Sequence, residues 1–126
     1  MKWSEFTLKE KRAIIQSLTN VANANGFINS SEGQFLNLTI LMMRENFDSF
    51  RFMMEQEEMV ITIKNMSDDK KDIIATLWLE CASRSTGGRE LGNISLSSFP
   101  KERETIIAMA RACNVKVREH MYIQPW

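Results

Sequence analysis

Residues 35–43 read Phe-Leu-Asn-Leu-Thr-Ile-Leu-Met-Met, and the reading of this run decides the fold. Through Phe35, Leu36, Leu38, Ile40, Leu41 and Met42 it is apolar nearly all round. A helix without a polar face is normally the buried centre of a bundle. The run is therefore expected to be the hub on which the other helices close. Upstream, Asn29 or Ser30 can cap this helix, and Glu32 falls in its first turn, where the helix dipole favours negative charge.

Working outward, Thr7 and Glu10 have the spacing of a capping box and start a first helix. Its apolar face carries Leu8, Ile15, Leu18 and Ala22, widened by Ile14 and Val21, and Gly26 ends the segment. Residues 47–66 read as two short helices, Phe47–Met54 and Met59–Met66, broken at the charged run Glu55-Gln56-Glu57-Glu58. Val60 to Ile63 has β propensity, but a lone strand would lack a partner. Ser67 caps the clearest helix, whose stripe is Ile73, Ile74, Leu77, Trp78, Cys81 and Ala82. The polar, Gly-rich stretch 84–98 reads as one loop of about fifteen residues, long enough to suggest function. Pro100 suits the first turn of a last helix, which has Ile106, Ile107, Ala110 and Cys113 on its core face. The tail 116–126 is apolar enough to pack on the bundle or on a second copy. Two prolines and five glycines leave little punctuation, which favours long helices over many turns. The expectation is one all-α domain over 1–126, a bundle of five to six helices with its core over 7–115.

Sixteen basic residues balance sixteen acidic ones, so the broad positive field behind most nucleic-acid affinity is missing. No stretch approaches the roughly 20 apolar residues of a membrane span, and the first residues lack an apolar signal core. A cytoplasmic protein with no nucleic-acid partner and no membrane insertion is expected. Cys81 and Cys113 fall on apolar faces. They read as small buried hydrophobes in a reducing compartment, with a disulfide as the alternative.

Two helix-loop-helix units echo each other. Ile14-Ile15, Leu18 and Ala22 align with Ile73-Ile74, Leu77 and Cys81 at an offset of 59. Glu32 and Leu36 align with Glu102 and Ile106 at an offset of 70, so the second loop is about eleven residues longer. Two similar hairpins can bury one shared core. Within the first unit, Ala22-Asn23-Ala24-Asn25-Gly26-Phe27-Ile28-Asn29-Ser30-Ser31-Glu32 resembles the A-x-A-D-G-x-I-x-x-x-E signature of the tellurite-resistance TerB-like family. The resemblance spans roughly residues 8–115. It implies an all-helical bundle with pseudo-twofold halves, acidic motif positions thought of as a cation site, and a role in stress response or in phage or chemical defence. The chain departs from the pattern at Asn25, where the signature has Asp, and at Arg84-Ser85, where the second Asp-Gly pair should fall.

The candidate metal ligands on this reading are Asn25, Asn29, Glu32 and, from the other half, Glu102. Counted as an EF-hand, Gly26 sits at loop position 6 and Glu32 at position 12, but position 1 is Val21, which has no side-chain oxygen. No resident cofactor is expected, a divalent cation being the alternative. Catalysis needs a nucleophile, a base and an orienting group. The lone histidine, His120, lies in the tail, with Cys113 upstream. Gly87-Gly88 with Arg84 and Arg89 lack the phosphate-loop spacings. Glu55, Glu57 and Glu58 read as a solvated helix end. An enzyme would need the 84–98 loop as a lid over Glu32, Arg84 and His120. Nine methionines are many. Met42, Met43, Met53, Met54 and Met59 read either as an adaptable core or as a soft groove for a partner helix or lipid-like ligand. The chain is thus expected to be a non-catalytic TerB-like module working through a protein partner or small ligand, with homodimerisation open. The alternative is a divalent-metal-binding stress protein using the Asn25/Glu32 loop.

Overall fold

The computed structural model describes residues 2–86 and 92–123. Among them the chain is mostly helical, with helices α1 (Leu8–Ala22), α2 (Ser30–Met42), α3 (Gln56–Lys64), α4 (Asp68–Ala82) and α5 (Pro100–Cys113). Two short strands, β1 (Gly92–Ser95) and β2 (His120–Ile123), pair antiparallel with Ile94 opposite Met121.

The hub is α1, not α2. Helix α1 touches α2, α3, α4 and α5, and Ala13, Ile14, Ser17, Leu18 and Val21 are fully buried. Polar residues at buried positions of α1 have partners. The Ser17 hydroxyl donates to the Ile14 carbonyl and accepts from the Trp78 indole N–H at 2.8 Å. The Lys11 ammonium donates to the Met43 carbonyl at 3.2 Å and to Glu45 at 2.8 Å, while Gln16 Oε1 accepts from the Met54 amide. The expectation for 35–43 is corrected accordingly. Helix α2 buries Phe35, Thr39 and Ile40 but leaves Leu38, Leu41 and Met42 in water. It packs on one side of α1, and an apolar sequence cannot bury a face that no neighbour covers.

The capping box at Thr7 and Glu10 is formed, at 3.1 and 2.8 Å. Between α2 and α3 lies a short 3-10 turn, Phe47–Phe50. The first of the two expected helices is only this turn, and the break spans 51–55, reaching just the start of the acidic run: Glu55 is the N-cap of α3, and Glu57 and Glu58 fill its first turn, where the dipole favours them. Val60 to Ile63 is helical, as expected.

The duplication is real at the level of local roles, but its first offset is 60 rather than 59. Thr7 and Ser67 are both N-caps with side chains accepting from the amide three residues on. Helices α1 and α4 each have 15 residues, and Lys11 and Lys71 are both buried. Glu10 pairs with its own counterpart, Lys70, at 2.9 Å. The second offset is 70, as read. Glu32 and Glu102 are both third residues of their helices and both buried, and Arg44 and Asn114 both have positive φ, 57° and 59°. With the corrected offset, Ser85-Thr86 stand where the first half has Asn25-Gly26. The link between α4 and α5 is then ten residues longer than that between α1 and α2.

That longer link is not one loop. Its second part is β1 followed by a 3-10 turn, Leu96–Ser98, with Ile94, Leu96 and Phe99 buried. The tail does not wait for a second copy. It returns along β1, with the Leu96 amide donating to the Glu119 carbonyl at 2.8 Å and Arg103 gripping Glu119 at 2.7 Å. Tail and loop were each unreadable alone because a strand is stabilised by its partner. Gly87, Gly88, Arg89 and Trp126 lie outside the described residues. No helix among the described residues is long and apolar enough to cross a membrane.

Candidate functional site

The four candidate ligands are brought together. Gly26, with φ of 92°, turns the chain between α1 and α2. Asn29 then caps α2, its Oδ1 accepting from the Glu32 amide at 2.8 Å while its own amide donates to Glu32 Oε1 at 3.1 Å. Pro100 opens α5 and sets Glu102 in the first turn. The Phe99 N-cap offers no side-chain oxygen, so no reciprocal box forms there. Glu102 instead accepts from Asn25 Nδ2 at 3.0 and 3.2 Å. Asn29 Nδ2 donates to the carbonyls of Arg84 and Ser85, at 3.0 and 3.2 Å. Two asparagine side chains of the first hairpin thus tie it to the second, one at the end of α4 and one at the start of α5.

Glu32 and Glu102 are each only 2% exposed, and Glu32 Oε2 has no hydrogen-bond partner. Burial pushes the Glu32 carboxyl above its ordinary range. The Asn29 amide pulls it back, and the Glu102 charge pushes it up further. Arg84, whose carbonyl accepts from Asn29, is also buried, its guanidinium 5.0 Å from the centre of the Phe35 ring and 3.9 Å from Glu80. Sequence reading named Arg84 as an anion-loop residue and as lining for an enzyme pocket with Glu32 and His120, but did not group it with the candidate ligands. The signal that could have grouped it there is its place in the turn after α4, where an apolar helix meets a polar loop.

As donors to a cation these residues form a partial set. Asn29 is closed, because both its oxygen and its nitrogen are occupied within the fold. Asn25 presents nitrogen to Glu102, and its side-chain oxygen would face inward only after the amide turned over. Calcium takes six to eight oxygens, and among the described residues no three His, Cys, Asp or Glu side chains converge. The residues do not fit a calcium cage. Glu32 and Glu102 could hold a smaller cation that keeps its own waters.

The methionine candidates separate. Met43, Met54 and Met59 are core residues, which corrects their assignment to a groove, whereas Met42 and Met53 are 60% and 76% exposed. Phe47 and Phe52, which sequence reading did not place in the groove, are exposed as well. Phe52 and Met53 flank a small cleft of about 150 Å³ floored by Ile15 and Met54.

The nucleophile candidates are not assembled. Burial pushes both cysteine thiols up, so both stay protonated, and Cys81 Sγ donates to the Leu18 carbonyl at 3.6 Å. The two cysteines are free thiols, not a disulfide. His120 is exposed on β2 and lines a cleft with Asp72, Thr76 and Tyr122, whereas Glu32 and Arg84 are buried. Glu55, Glu57 and Glu58 are exposed, as a solvated helix end should be.

No family model matches the chain, and comparison with curated proteins and with solved structures returns no significant match.

Proposed function

We propose that this chain is a non-catalytic, TerB-like helical module that works by binding a protein partner, in the setting of a stress or defence response. The observation that carries the reading is the outer side of α2 and the segment after it. Leu38, Leu41 and Met42 stand three and four residues apart, on one stripe, and Phe47, Phe52 and Met53 add three large apolar side chains within eleven more residues. Scattered exposed apolar residues are ordinary, but a cluster in one stretch of chain is the usual mark of a surface that another protein covers. The flexible thioethers of Met42 and Met53 suit such a surface. The TerB-like part of the reading is supported by the recurrence of buried Glu32 and Glu102 at matching helix positions. The protonated, buried cysteine thiols support a role without covalent chemistry.

The test is affinity capture with the whole chain against a variant carrying Leu41→Glu, Met42→Glu and Met53→Glu, followed by binding measurements with the captured protein. All three side chains are exposed, so the variant should keep its helical circular dichroism and melting temperature. Binding of the partner should weaken by about tenfold or more. Equal capture by both proteins would remove this surface from the argument.

A second reading, a divalent cation between Glu32 and Glu102, is favoured by one observation, the unpartnered Glu32 Oε2. Thermal unfolding with magnesium, manganese, zinc and calcium tests it. A cation at a hundredfold its dissociation constant stabilises by about 2.7 kcal/mol, and that gain should vanish in Glu32→Gln. An unmoved midpoint with every metal ends the reading.

A further inference from the structure

A second cleft, on different elements from the apolar stripe, lies between α4 and the C-terminal segment and holds about 430 Å³. One wall is a helical stripe, Asp72, Ala75, Thr76 and Leu79, spaced three and four residues apart. The other comes from alternate residues of the returning tail: Lys116, Arg118, His120 and Tyr122, with Met121 between the last two. The period of two puts basic and aromatic side chains in the cleft, while Val117 and Met121 pack on the core and Glu119 turns to Arg103. This alternation was legible in the sequence and went unread, because without a partner strand the tail offered no reason to count in twos.

We propose that this cleft binds a free nucleotide, a planar ring carrying a phosphate monoester. Its size falls in the range of small-ligand sites, and its plan is theirs: an apolar floor with a few polar groups converging on it. The floor is Ala75 and Leu79, both buried, and the exposed Tyr122 offers a ring face for stacking. Lys116 and Arg118 pair with no carboxylate among the described residues, and Asp72 across the cleft forms no ion pair with either. The nearby exposed Arg103, by contrast, is closed by Glu119. Two uncompensated cations and an imidazole on one wall suit a doubly charged phosphate. On the other wall the Asp72 carboxylate and the Thr76 hydroxyl, which donates to the Asp72 carbonyl at 3.1 Å, present acceptors. Acceptors there suit the N–H or hydroxyl donors of a base or sugar. A bare anion would gain nothing from the floor and would be opposed by Asp72. A nucleic-acid strand would need more cations than these, on a chain whose charges balance.

The experiment is an amide-resolved NMR titration of the whole chain with adenosine monophosphate, adenosine and inorganic phosphate, at low and moderate salt. The monophosphate should give saturable shifts concentrated in residues 72–79 and 116–122, weakening as salt rises. Adenosine and phosphate should each bind about tenfold more weakly, and the exposed double variant Lys116→Glu, Arg118→Glu should lose about the same factor. Tyr122→Ala, a milder change that leaves the charges in place, should weaken the monophosphate and adenosine but not phosphate. Absence of saturable shifts, shifts confined to other residues, or undiminished affinity in the double variant would overturn the proposal. So would adenosine equalling the monophosphate, or an oligonucleotide or an acidic peptide outcompeting it.

Discussion

Trp78→Ala lowers the unfolding free energy by about 3–5 kcal/mol, the expected cost of deleting a large aromatic side chain from a closed core. Trp78 is fully buried on α4 and faces α1, where its indole N–H donates to Ser17 Oγ. Ser17 in turn donates to the Ile14 carbonyl at 2.7 Å, so the ring and its hydrogen bond join the two longest helices at the centre of the bundle. Domains of this size are stable by about 5–15 kcal/mol, so the substitution removes a large share of the margin. Denaturant unfolding followed by circular dichroism measures it, as a lower midpoint at unchanged slope. Trp78→Phe keeps most of the ring and loses only the N–H, so its loss should be smaller. A change in the alanine variant within about 0.5 kcal/mol, the size of a surface substitution, would mean that α1 and α4 are not held together here.

The second large effect is electrostatic. Arg84→Met should cost about 2 kcal/mol at neutral pH, because it removes a buried guanidinium seated over the Phe35 ring and 3.9 Å from Glu80. Stability should also depend on pH through Glu32, whose carboxyl feels Glu102 rather than a cation. Burial and then Glu102 raise that carboxyl above its ordinary value near 4.5, against the pull of Asn29, so the folded chain holds the proton more tightly than the unfolded one. Below 4.5 both states are protonated and no penalty arises. As pH rises through the elevated folded value, ionising Glu32 destabilises the fold. Wild-type stability should therefore fall through this group from acid to neutral pH, and Glu32→Gln should remove that part of the dependence. Midpoints of both proteins measured across that range check it, and identical pH profiles would show that Glu32 carries no such penalty.

Much of the helical frame was legible because capping chemistry is local. Thr7, Asn29 and Ser67 mark three starts by side-chain oxygens that accept from amides three residues on. Which helix is central was not legible, and α1 shows why. Lys11, Gln16 and Ser17 are polar in sequence yet buried in the fold, each satisfied by a partner distant in sequence or one turn back. Helix α2 carries the stronger apolar signal, but burial depends on what faces a side chain. The one-residue error in the duplication has the same origin. Matching apolar pairs put Ile14-Ile15 on Ile73-Ile74, whereas the caps at Thr7 and Ser67 put Ile14 on Ile74. At the candidate site the four residues were chosen correctly as neighbours. Their hydrogen bonds were invisible, because Asn25 and Asn29 satisfy groups 55 to 77 positions away.

The extra residues between α4 and α5 hold β1, and β1 meets the chain's returning end, one wall of the nucleotide-sized cleft. What distinguishes the second hairpin from the first is thus gathered in one place, outside the repeated frame. Caps, buried lysines and buried glutamates constrain both hairpins alike, whereas the zipped strands answer mainly to each other. Homologous chains could lengthen, recharge or lose this clasp as a unit while the helices beneath stayed as they are. Ligand choice in such a lineage would then drift faster than its architecture.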